Sequence, residues 1–102
     1  MALFVVQFAA KELERFNKEF LTDMIVSKNS IHVRDGASVH MDKAFLYVRV
    51  MGGDEKVAAA KKFFEEKKFG AMLKDDDATK VSAAIDKEEE EAAEGMGMIF
   101  GG

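Results

Sequence analysis

The chain predicts an α+β sandwich, in which a four-stranded antiparallel sheet carries two helices on one face. Three observations carry that class. Along residues 1–76 the hydrophobic spacing changes twice from a strand period to a helical period and back. Turn residues separate the segments, and the order is strand, helix, strand, strand, helix, strand. With 102 residues, 48% of them hydrophobic and nine of them phenylalanine, the chain has enough apolar material for one core without staples.

Residues 2–8, ALFVVQF, are short, β-branched and aromatic, as a buried or half-buried strand requires. From Ala9 the period changes: Leu13, Phe16, Phe20, Leu21 and Met24 recur at spacings of three and four, with Lys11, Glu12, Arg15, Lys18, Glu19 and Asp23 between them. That pattern predicts one amphipathic helix of about four turns. Ile31 and Val33 alternate with Ser30, His32 and Arg34 in a second strand, and Asp35 and Gly36 supply a hairpin turn. KAFLYVRV, residues 43–50, is the third strand and runs to about Met51. Asp54 is placed to cap the next helix, Val57, Ala60 and Phe64 mark its buried face, and Gly70 is placed to close it. AMLK, residues 71–74, predicts a short last strand. This βαββαβ order is the ferredoxin-like topology.

The chain divides at residue 76. Residues 1–76, the ferredoxin-like domain, hold 13 Lys and Arg against 12 Asp and Glu; residues 77–102 hold 2 against 7. The body is nearly neutral and the tail acidic. Val81, Ala84 and Ile85 have helical spacing and EEEEAAE follows, which predicts a solvated helical appendage ending in a flexible apolar peptide, GMGMIFGG. The absence of cysteine excludes disulfides, thiolate clusters and thiol nucleophiles. No stretch approaches the roughly 20 apolar residues that cross a bilayer, and no basic residue precedes the short apolar run at the start. The expectation is a cytoplasmic protein with no membrane partner.

Alternate side chains of a strand point to opposite faces. Ala44, Leu46, Val48 and Val50 are uniformly aliphatic and are expected under the two helices, with Leu3 and Val5 beside them. The opposite, helix-free face would then carry Phe4, Val6, Phe8, His32, Arg34, Phe45, Tyr47 and Arg49. Such an aromatic face is larger than a soluble monomer leaves open, so a partner, a second copy or the folded-back tail is expected to cover it. Burying its rings contributes about 1.5–3 kcal/mol each before association costs.

Two families resemble parts of the chain. Lys43-Ala44-Phe45-Leu46-Tyr47-Val48-Arg49-Val50 and Leu3-Phe4-Val5-Val6-Gln7-Phe8 resemble the octapeptide and hexapeptide of RNA-recognition motifs. That resemblance implies that Phe4, Phe45 and Tyr47 stack on bases of single-stranded RNA. Residues 43–74, with their hydrophobic strand, Gly52-Gly53-Asp54 turn, alanine-rich helix and short strand, resemble the second half of a NIL domain, a small relative of the ACT regulatory domains. It implies a regulatory or accessory role, with domains pairing through sheets or strand edges and ligands at the seams. The acidic run followed by Met98, Ile99 and Phe100 resembles the C-terminal peptide of archaeal ribosomal stalk proteins, which implies a partner-docking peptide.

Little else points to chemistry. His32 and His40, with Asp35 and Asp42, lack metal-ligand spacing. Ser27, Ser30, Ser38 and Ser82 lack a nucleophile context, and Gly52-Gly53 lacks a phosphate-loop pattern. The expectation is therefore a non-catalytic accessory or regulatory subunit without metal or cofactor, associating through the helix-free face with itself or a partner subunit. A nearly neutral body favours protein over nucleic acid. Binding of single-stranded RNA and sensing of a small metabolite remain the alternatives.

Overall fold

The structure, a computed structural model, describes the backbone of residues 1–100 and the side chains of residues 1–92. Strands β1 (Ala2–Ala9), β2 (Ser30–Asp35), β3 (Phe45–Gly52) and β4 (Ala71–Met72) form one antiparallel sheet in the order β2-β3-β1-β4. The helices are α1 (Leu13–Arg15), α2 (Met24–Ser27), α3 (Asp54–Lys67) and α4 (Asp75–Phe100). The α+β class holds, and the sheet with its helices is compatible with a ferredoxin-like fold. No helix among the described residues is long and apolar enough to cross a membrane.

The helical segment after β1 is broken, where its periodicity predicts one continuous helix. A 3₁₀ turn (Ala10–Glu12) leads into α1, and a π turn (Phe16–Phe20) follows, closed by Leu21 N–H donating to Phe16 O at 3.0 Å. Asp23 then restarts the helix. Its Oδ1 accepts from the backbone N–H of Ile25 at 2.8 Å and of Val26 at 3.3 Å, an N-cap that starts α2. The caps of α3 also differ from expectation. Gly53 is its N-cap, and Lys68, at φ 52°, takes the left-handed position that closes it. Gly70, at φ 63°, instead turns the chain against β1, where a Cβ would clash with the Gln7 carbonyl oxygen.

One core lies between the sheet and the π turn, α2 and α3. Phe4, Val6 and Phe8 of β1 and Val48 and Val50 of β3 meet Phe16, Phe20, Val26, Val57, Ala60, Phe64 and Phe69. Phe20 is its centre, with ring centroids 4.5 Å from Phe69 and 4.6 Å from Phe64. Such offset and edge contacts add to area burial by about 0.5–1.5 kcal/mol each. Phe4, Val6 and Phe8 therefore do not lie on the opposite face, as the alternation of β1 alone predicts. The β1–β3 register pairs Phe4 with Val50, Val6 with Val48 and Phe8 with Leu46, and opposed residues share a face. Leu3, Val5 and Gln7 take the other side.

That other face is not open. α4 crosses it: Ala78, Val81 and Ile85 are buried against Val5, Val39 and Tyr47, and Ser82 is buried beside Arg49. Residues 78, 81, 82 and 85 form one helical stripe, so the first half of α4 is a roof rather than a solvated appendage. Asp75, Asp76 and Asp77 open the helix, where carboxylates complement its dipole. Glu90 and Glu91 are exposed. The side chains of Met98, Ile99 and Phe100, the expected docking motif, lie outside the described residues.

The phase of β1 is testable by urea denaturation. Phe8→Ala should lower the unfolding free energy by about 3–5 kcal/mol, whereas Leu3→Ala, at a side chain 39% exposed, should change it by about 1 kcal/mol or less. Equal effects would reject the register.

Candidate functional site

The candidate site is the sheet face beneath α4 together with the β2 edge beside it. β3 supplies the centre because it is an inner strand with two different faces. Leu46, Val48 and Val50 belong to the core under the π turn, α2 and α3, while Phe45, Tyr47 and Arg49 point to α4. From β2, His32 sits opposite Arg49 and Arg34 opposite Tyr47. The expected placement of His32, Arg34, Phe45, Tyr47 and Arg49 on one face is thus observed, but α4 buries two of them. Tyr47 and Arg49 are both 0% exposed. Phe45 is half-buried at the margin of this second core.

Arg49 is the most constrained side chain. Its Nη1 donates to Asp86 Oδ1 at 2.7 Å, to Ser82 Oγ at 2.8 Å and to the Ser82 carbonyl at 3.3 Å. Its Nη2 lies 3.3 Å from His32 Nδ1, and its Nε has no partner among the described residues. A buried guanidinium is tolerated only when paired and hydrogen-bonded. Ser82 and Asp86 stand one helical turn apart, so both reach the same cation.

The ion pairs continue toward the sheet edge. His32 Nε2 lies 3.0 Å from Glu89 Oε1; with Nδ1 accepting from Arg49, Nε2 carries the hydrogen toward Glu89. Arg34 Nε donates to Glu88 Oε1 at 3.0 Å, and its Nη2 lies 3.9 Å from Glu89 Oε1. The acidic tail therefore matches the basic residues of this face within one chain. Ser82, Asp86, Glu88, Glu89 and Gln7 are the residues that sequence reasoning missed. Ser82, Asp86 and Glu89 share one face with the Val81–Ile85 stripe, a signal present in the spacing.

Tyr47 Oη donates to Gln7 Oε1 at 3.1 Å. Burial raises its phenol pKa above the ordinary value; a backbone hydrogen bond at Asp42 works against the rise, and the carboxylates of Asp42 and Asp77 add smaller contributions to it. In the β2–β3 connection Asp35 Oδ1 accepts from Ser38 N–H at 2.8 Å and Asp42 Oδ1 from Ala44 N–H at 2.9 Å. The first bond lowers the Asp35 pKa. Both aspartates are turn caps.

β2 is an outer strand, and the direction of its backbone groups follows from two bonds. Gly36 N–H donates to Phe45 O at 3.0 Å, which makes 36 and 45 a hydrogen-bonded pair. Such pairs alternate along an antiparallel ladder, so residues 30, 32 and 34 bond to β3, and 31, 33 and 35 direct their N–H and C=O groups outward. The Val33 carbonyl agrees: it accepts from Arg34 Nη1 at 2.9 Å, outside the ladder. Ile31 and Val33 are also half-exposed.

No protein-family model, curated protein or solved structure matches the chain.

Two predictions follow from the geometry under α4. Asp86→Ala leaves a buried guanidinium short of its closest acceptor and should lower the unfolding free energy by about 1.5–3 kcal/mol. Glu88→Ala breaks a half-exposed pair and should change it by about 1 kcal/mol or less; the reverse ranking in urea denaturation would refute the assignment. Tyr47 is the only tyrosine, so tyrosinate absorbance reports it alone. Its raised folded pKa means that the unfolded chain loses the proton first, and stability falls as pH rises past about 10. The titration midpoint should lie above about 10 in the folded protein and return to about 10 in Val81→Asp, where the roof is broken.

Proposed function

We propose that the chain is a non-catalytic accessory or regulatory module that acts by association, and that the associating surface is the β2 edge. The single observation that carries this reading is the outward row of backbone groups at residues 31, 33 and 35, flanked by half-exposed Ile31 and Val33. An outer strand of six residues with such groups is a template for a further strand. A ferredoxin-like reading of the element order and the resemblance of residues 43–74 to NIL domains support the same role.

The edge also suits a second copy. Antiparallel pairing about a two-fold axis at His32 sets Ile31 opposite Val33 of the second copy and Val33 opposite Ile31. Both are hydrogen-bonded pairs in that register, and both join two β-branched side chains on the face of the main core. Ser30 then faces Arg34 of the second copy. The expected helix-free interface gives way to this edge because α4 already buries Tyr47 and Arg49, and the main core buries Phe4, Val6 and Phe8. Binding of RNA through Tyr47 would first require α4 to leave.

Val33→Pro tests the proposal. The Val33 N–H points away from β3, so proline removes an outward donor without deleting a ladder bond. Sedimentation velocity should show wild-type mass rising toward a dimer with concentration, and Val33→Pro remaining a monomer with unchanged far-ultraviolet circular dichroism. A wild type that stays monomeric at all concentrations, or a Val33→Pro protein that associates equally well, would sink the idea. A mass or thermal shift produced only by single-stranded RNA or by an amino acid would favour the alternatives instead.

A further inference from the structure

Arg34 makes contacts in two directions. Its Nη1 donates to the outward carbonyl of Val33 at 2.9 Å, while Nε holds Glu88 at 3.0 Å and Nη2 lies 3.9 Å from Glu89. The first contact lies on the edge where an incoming strand must place an N–H. In the two-fold register that N–H belongs to Ile31 of the second copy. A charged donor on that carbonyl therefore competes directly with strand addition.

We infer that Arg34 is a guard on the β2 edge, held in place by the carboxylates of α4, so that the position of the second half of α4 controls pairing with a second copy. The inference rests on the association reading above. The division of α4 supports it. Ala78, Val81, Ser82 and Ile85 are 0–7% exposed and anchor the first half of the helix. Glu88 and Glu89 have side chains 47% and 48% exposed, where solvent and salt weaken ion pairs. The second half can therefore release Arg34 while the apolar stripe keeps the roof on Tyr47. Charged residues are a general means of blocking sheet edges; here the charge is tethered to a separate element.

Three full-length variants test the guard against wild type by sedimentation equilibrium. Arg34→Ala removes it and should tighten self-association about tenfold, the effect of losing one competing charged hydrogen bond. Glu88→Gln/Glu89→Gln leaves β2 untouched, loosens the tether and should shift association in the same direction by a smaller factor. Val33→Pro/Arg34→Ala should be monomeric, which shows that the gain runs through the edge. If Val33→Pro breaks a wild-type dimer but neither Arg34→Ala nor the glutamine pair tightens it, the guard is wrong and the association reading stands. If Val33→Pro/Arg34→Ala pairs as tightly as Arg34→Ala, the gain lies elsewhere and the guard is also wrong. If neither wild type nor any variant pairs at any concentration, both ideas fall. Should Arg34→Ala fail to fold, as judged by circular dichroism, the glutamine pair alone decides.

Discussion

The architecture depends on one buried cation. Arg49 projects from the middle of the sheet into a space closed to water, and its guanidinium is held by Ser82, Asp86 and His32. An isolated charge in that position would cost several kcal/mol, so α4 must present its acceptors at the right height. This fixes the helix along its axis and about it. Once Ser82 and Asp86 face Arg49, Val81 and Ile85 fall into the second core with Tyr47, and Glu88 and Glu89 arrive at His32 and Arg34.

β3 allows two cores in a chain of this size. Its aliphatic side completes a phenylalanine-rich layer with the π turn, α2 and α3, and its Tyr47 and Arg49 side is polar enough to specify which helix covers it and in which register. A purely apolar second face would accept a sliding helix, because area burial has no direction. The bonds from Arg49 to Ser82 and Asp86 supply the direction. The two faces therefore differ in what they contribute: burial and ring packing on one side, register on the other.

The α+β class with its four-stranded antiparallel sheet, the apolar face of α3 and the opposite orientations within β3 were legible in the sequence because each rests on strong local periodicity. The phase of β1 was not, because Leu3, Val5, Phe4, Val6 and Phe8 are apolar on both alternations. Gln7 is the one polar marker, and the pairing with β3 decides the phase. The break before α2 was hidden because Leu21 and Met24 continue the helical spacing while Asp23 caps a new helix. The roof was hidden for a different reason. Glu88–Glu91 dominates the composition of the tail and suggests solvation, yet two of those glutamates answer Arg34 and His32, which sheet pairing brings close, 54 and more residues earlier in the chain. Spacing along α4 displays the stripe, but only the fold identifies its counterpart.

The same charge separation explains why the chain is acidic at one end and nearly neutral elsewhere. The carboxylates of the tail neutralise Arg34 and Arg49 of its own sheet, and Glu89 accepts a hydrogen bond from His32. The three contacts are unequal. The Arg49 pair is shielded on the cation side, where the side chain is 1% exposed, while Arg34 at 25% and Glu88 at 47% meet in solvent. Strength therefore declines along α4 from the sheet centre to the sheet edge. A helix anchored at its start and weakly held farther along places its most exchangeable contact beside the strand whose backbone is open, which is where a small sheet has most need of control.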